Sequence, residues 1–256
     1  MSPPESALII ALSGCSSSGK TTLARLLRDI FPNTFILHQD DFYRPETELP
    51  SKNGFLDWDC AQAVDVPAMA EALTYIRRHA ELPPTLDTKE DKNAIGPCPV
   101  PDTIVTELKT RVASSISPSH PLRRGSLRLC LLDGFLLYAP SMASLQPSLD
   151  LKLFVRASYA NAKARREARS GYVTLEGFWE DPPGYVDAIV WPNYVADHGW
   201  MFERGDVEGT YCKAALDSAG IRVLDDAKPD VDMVKTLKWM VDAILGKLSQ
   251  EHSSQY

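Results

Sequence analysis

Short apolar runs alternate with amphipathic stretches along most of this chain, the pattern of buried parallel strands covered by helices. The runs Ala7–Leu12, Thr34–Leu37, Leu127–Leu132, Leu151–Val155 and Ile221–Leu224 predict five strands. Helical periodicity predicts helices over Thr21–Ile30, Val66–Ala80, Tyr159–Ser170, about Tyr185–Glu203, and Val231–Leu248. That alternation predicts an α/β fold of three layers, a five-stranded parallel sheet with helices on both faces. Ligands of such folds sit at the carboxyl ends of the strands.

One span breaks the pattern. Glu81–Gly125 carries seven prolines and little apolar periodicity beyond "DTIVTELKTRVASSI". A structureless stretch of this length is out of place inside a compact domain, so the expectation is a partly disordered surface insertion with at most one helix and no chemistry. The remainder reads as a single domain over 1–256, with a frayed tail "SQEHSSQY".

The formal charge of −7 and a pI near 5.3 argue against nucleic-acid and anionic-membrane partners, which need a basic face. Any anion site is therefore local. The apolar start Ala7–Leu12 is too short for a membrane span and lacks the basic flank of a signal peptide. Five scattered cysteines, an odd number with no zinc-like spacing, fit a reducing cytoplasm.

"GCSSSGKTT", from Gly14 through Cys15, Ser16, Ser17, Ser18, Gly19, Lys20 and Thr21 to Thr22, fits G-x-x-x-x-G-K-[ST] between a predicted strand and a predicted helix. Its glycines let backbone N–H groups wrap a phosphate, and the helix adds its positive end. Lys20 reaches β- and γ-phosphates, while Thr21 offers a hydroxyl to Mg²⁺. The expectation is a P-loop NTPase sandwich using ATP and Mg²⁺. A GTPase is excluded because no N-K-x-D occurs.

"LCLLDGF" sets Asp133 at a strand end, a candidate Mg²⁺ partner and equally a capping aspartate. "FILHQDDFYRP" ends the second strand with Asp40, Asp41, Phe42 and Tyr43, grouped here as the acceptor side. Asp40 is the candidate base for an attacking hydroxyl and a possible partner of Thr21 at Mg²⁺. Trp58 beside Asp59 suits a nucleoside, with the ring on the base and the carboxylate on the ribose, but is also the pattern of a core aromatic beside a helix cap. "NAKARREARSGY" carries Lys163, Arg165, Arg166 and Arg169 on successive turns, a lid over the transferring phosphate spanning about 163–184.

The ordered segments "GCSSSGKTTLA", "QDDFYRPE", "KNGFLDWD", "DGFLL", "RREARSGY" and "DPPGYVDAIVWPNY" resemble the nicotinamide riboside kinases, a branch of the uridine-kinase-like P-loop kinases. The likeness covers the chain apart from Glu81–Gly125 and the tail. It implies ATP-dependent phosphorylation of a small-molecule nucleoside, nicotinamide riboside, on its ribose 5′-hydroxyl. It also implies Asp40 as base and magnesium ligand with Thr21, and Trp58, Asp59 and Asp181 around the nucleoside. Arg165 would face ATP and Arg166 the substrate, Tyr172 would stack on the nicotinamide, and Lys228 would border the adenine. Asp133 stands where the family carries glutamate, and extra residues separate Arg169 from Asp181. Two rivals remain, a kinase for another nucleoside such as uridine and a P-loop regulator that binds ATP without transfer. The sequence leaves the oligomeric state open.

Overall fold

The structure, a computed structural model, describes residues 6–88, 98–169, 171–173, 177–224 and 229–253. In chain order the elements are β1 (Ser6–Ser13), α1 (Lys20–Ile30), β2 (Thr34–His38), the ribbon β3 (Ser51–Lys52) with β4 (Phe55–Leu56), and α2 (Val66–His79). There follow α3 (Asp102–Ser115), α4 (Pro121–Arg124), β5 (Leu127–Gly134), β6 (Leu151–Phe154) and α5 (Tyr159–Glu167). A hairpin of β7 (Tyr172–Val173) and β8 (Phe178–Trp179) precedes α6 (Trp191–His198), α7 (Lys213–Ala219), β9 (Ile221–Val223) and α8 (Met233–Ser253).

The five predicted strands form one parallel sheet in the order β2-β5-β1-β6-β9. β1 is buried along Ala7–Ser13, as a strand covered on both faces must be. Leu8, Ile10 and Leu12 meet α1, α3 and α8 on one face, while Ala7, Ile9 and Ala11 meet α2, α7 and the 139–149 segment on the other. The chain leaves β1 toward the first face and β5 toward the second. The two strand ends therefore open a crevice between them, the place where sheets of this kind bind ligands.

The structure moves several expected boundaries. β5 runs on through Asp133 and Gly134, so Asp133 lies within the sheet, paired in register with Leu12 of β1 and His38 of β2. The expected helix over Tyr185–Glu203 is broken. A π-helical stretch Val186–Val190 leads into α6, followed by 3₁₀ turns at Gly199–Met201 and Glu203–Gly205. Pro192 is the physical reason, because it has no N–H for the Ala188 carbonyl one turn back. That carbonyl instead accepts from Asn53 Nδ2 at 3.0 Å, which ties the β3–β4 turn to the π-helical stretch before α6.

The reading of Glu81–Gly125 as a surface insertion is corrected for its second half. Leu108, Val112 and Ile116 recur every four residues, and with Val100 and Leu122 they are buried against α1 and α8. Asn33 Nδ2 also donates to the Leu122 carbonyl at 2.6 Å. α3 is thus part of one face of the core, while residues 89–97 lie outside the described part. Among the described residues, no helix is long and apolar enough to cross a membrane.

Candidate active site

The P-loop is shaped by backbone conformations that few residues adopt. Gly14 has φ +152°, and a Cβ there would lie 1.9 Å from the Val155 carbonyl oxygen, so only glycine fits. Lys20 Nζ crosses the loop to donate to the Cys15 carbonyl at 2.9 Å. The hydroxyls of Ser17 and Ser18 are buried and have no protein partner. Such groups need an acceptor or donor, and a triphosphate supplies acceptors.

At the neighbouring strand ends, Thr21 Oγ1 donates to Asp133 Oδ2 at 2.6 Å, and His38 Nδ1 approaches the same oxygen at 3.3 Å. Burial pushes the Asp133 carboxyl up. The His38 hydrogen bond, the Lys20 charge and the Thr21 hydroxyl outweigh it and hold the group below its ordinary value. Asp133 Oδ1 is buried without a protein partner. A hard-cation donor set beside the P-loop, with one carboxylate oxygen unused, fits Mg²⁺.

Arg166 joins three parts of the chain. Its Nε donates to Asp181 Oδ2 at 2.6 Å and its Nη2 to Asp181 Oδ1 at 3.2 Å. Asp59 takes Nη1 and Nη2, each at 2.9 Å, and Ser16 Oγ accepts from Nη1 at 2.7 Å. A guanidinium has five N–H groups, and this arrangement uses all of them. Arg166 and Asp59 are both buried, at 7% and 4% exposure, so the pair sits in a low-dielectric setting. Burial raises the Asp59 carboxyl from its ordinary value; Arg166 pulls it back, and the charges of Asp181 and Asp57 add to the rise.

Around this clamp the aromatics converge. Trp58 meets Tyr43 edge-on at 5.2 Å and Trp179 at 5.6 Å between ring centroids, and Tyr43 stacks on Phe135 at 6.3 Å. Trp179 Nε1 donates to Asp181 Oδ1 at 3.0 Å. Asp40 is half-buried in the 3₁₀ turn Gln39–Phe42 at the end of β2. The Tyr43 hydroxyl is pushed well above its ordinary value by burial and then by the charges of Asp40 and Asp59.

Several expected site residues fall elsewhere. Phe42 is buried in the core cluster. Arg165 and Arg169 part company: Arg165 is exposed and lines a cleft of about 390 Å³ with Ser18, Arg156, Tyr211, Asp230 and Met233. Arg169 lines a second hollow with Arg166, Glu180 and Asp181. Lys163 pairs with Asp187 at 2.5 Å and fastens α5 to the stretch before α6. Tyr172 lies in β7 across from Trp179, its side chain outside the described part, and Lys228 is outside the described residues. His38, Trp179, Asp57 and Asn193 were not singled out in the sequence; only the histidine preceding "QDD" gave a signal, as a titratable residue at a strand end.

A parallel sheet with a P-loop after its first strand, a strand-end carboxylate on the P-loop threonine and an aromatic cluster tied to the loop define a P-loop phosphotransferase. The family described as "Chloramphenicol phosphotransferase-like protein" matches residues 7–77. "Nicotinamide riboside kinase" of Schizosaccharomyces pombe is 36% identical over 94% of this chain and 97% of the relative. The protein of that name from Saccharomyces cerevisiae is 32% identical over 93% and 95%, and "Nicotinamide riboside kinase 2" of Mus musculus 30% identical over 86% and 94%. The chain belongs to the nicotinamide riboside kinase family.

Proposed function

We propose that the protein transfers the γ-phosphoryl group of ATP to the ribose 5′-hydroxyl of nicotinamide riboside, giving nicotinamide mononucleotide and ADP in NAD salvage. The observation that carries this reading is the Arg166 clamp, which binds Asp59 and Asp181, beside the rings of Trp58 and Trp179, directly to Ser16 of the phosphate loop. Gly14–Thr22 and Arg165 hold the triphosphate, with the adenosine in the cleft of about 390 Å³, a volume ordinary for such a ligand. Each Asp59 oxygen keeps a lone pair after meeting Arg166, so the carboxylate accepts two ribose hydroxyls. Trp58, Trp179 and Tyr43 face the pyridinium ring, a cation attracted to aromatic faces.

Thr21, Asp133 and Asp40 would hold Mg²⁺, which when bound neutralises charge on the β- and γ-phosphate oxygens. Asp40 takes the proton of the 5′-hydroxyl as its oxygen bonds to the γ-phosphorus and the bond to the bridging oxygen of ADP breaks. Lys20 and Arg165 stabilise the charge on the moving group. Five free cysteines support a cytoplasmic location, and the acidic charge a small-molecule partner over nucleic acid.

ADP release measured with nicotinamide riboside, with uridine and with no nucleoside tests the assignment. The expected result is the highest kcat/KM with nicotinamide riboside and negligible release without acceptor. Uridine outpacing it moves the enzyme to another nucleoside, and release independent of any acceptor overturns the kinase reading.

A further inference from the structure

Trp58 is bracketed by two buried carboxylates, and only Asp59 belongs to the Arg166 clamp. Asp57, 4% exposed, accepts from Asn193 Nδ2 on both oxygens at 2.9 Å, and its Oδ1 also takes the backbone N–H of Asp59 at 3.1 Å. Asn193 Nδ2 reaches the Asp59 carbonyl at 3.1 Å as well. The orientation of that amide is fixed by chemistry: Lys52 Nζ only donates, so it must meet Asn193 Oδ1, which turns Nδ2 toward Asp57. α6 thereby pins the acceptor loop at two points.

An asparagine in its place would turn an NH₂ group toward Asn193 Nδ2, so the site needs two acceptor oxygens, and these come with a buried negative charge. That charge acts beyond the hydrogen bonds it accepts. Asp59 and Asp181 share the Arg166 guanidinium, and Asp57 joins them through the backbone N–H of Asp59, with Lys52 a further amide away. Asp57 borders the pocket: its Oδ1 holds the Asp59 N–H at 3.1 Å, the intervening Trp58 gives its own N–H to the Tyr185 hydroxyl at 3.0 Å, and the Asp57 charge helps raise both the Asp59 carboxyl and that hydroxyl.

We propose that Asp57 is a specificity-determining residue that never touches the substrate: held by Asn193, its buried charge favours ribosides whose base is a cation over neutral ones. This rests on the functional reading above. The natural comparison is nicotinamide riboside against its 1,4-dihydropyridine form, nearly the same shape with no ring charge. One unit charge acting over about 10 Å at an effective dielectric of about 30 changes an equilibrium roughly sixfold.

The experiment measures kcat/KM for both forms in the wild type, in Asp57→Asn, and in the exchange Asp57→Asn with Asn193→Asp, with thermal melts alongside. The exchange keeps an acid facing an amide and the same net charge, but moves the carboxylate onto Lys52. The expected result is a cation preference in the wild type that falls about fivefold in Asp57→Asn, through KM of the cation. In the exchange variant, which gives up the bond from residue 193 to the Asp59 carbonyl, the melting temperature recovers part of the Asp57→Asn loss while the preference stays low. If Asp57→Asn does not fold, the exchange variant decides alone. Equal losses on both forms, a preference unchanged within about twofold, or a wild type that favours neither form overturns the proposal. A wild type that phosphorylates neither form overturns the functional reading instead.

Discussion

Replacing Arg166 by lysine keeps the charge and removes the fork. The guanidinium makes five hydrogen bonds in the structure, two each to Asp59 and Asp181 and one to Ser16. An ammonium offers three donors from one point, so at least two of these bonds are lost and one of the carboxylates loses its paired contact. Hydrogen bonds to charged groups are worth about 1.5–3 kcal/mol each, and network bonds are not additive, so about 3–4 kcal/mol is the working figure. If Asp59 holds the ribose, that loss falls on the nucleoside: its kcat/KM drops roughly 10²- to 10³-fold, while KM for ATP moves by less than about threefold. Initial rates over a grid of both substrates, with calorimetric binding of a non-transferable ATP analogue, separate the two. A nucleoside kcat/KM within about fivefold of wild type, or a loss appearing in KM for ATP, refutes the view of Arg166 as the fastener of the acceptor pocket.

Asp40→Asn is expected to leave ATP affinity unchanged and lower kcat at least about a hundredfold, checked by single-turnover rates; a decrease of only a few fold removes Asp40 as base. Leu108→Ala in α3 is expected to cost about 2–5 kcal/mol in denaturant unfolding, since this fully buried side chain sits between α1 and α8, whereas a surface insertion would show almost nothing. Burial holds the His198 imidazole down to about 4. The unfolded chain binds that proton near 6.5, so the stability tied to the neutral ring is full above about 6.5 and is lost as pH falls toward 4, by up to about 3 kcal/mol. His198→Phe is expected to flatten that acid limb in urea titrations, and an unchanged slope contradicts it.

What the sequence determined by itself is what acts over short stretches. Apolar runs marked the strands because the central ones must be dry on both sides, and the phosphate loop was complete within Gly14–Thr22 because its backbone shape depends on residues inside it. Asp133 and Asp40 were legible as strand-end acids for the same reason. Tertiary structure decided the partners. Arg166 meets residues 15, 107 and 150 positions away, and no local periodicity says which strand ends will bring Asp181, Asp59 and Ser16 to one guanidinium. Asp57 meets Asn193, 136 positions away, through the packing of α6 against the loop before α2. Trp179 stands beside Trp58 because hairpin β7–β8 folds back from α5. α3 joins the core for a similar reason: its narrow apolar stripe is decisive only once α1 and α8 lie next to it, since burial depends on a facing surface that the stripe itself does not encode.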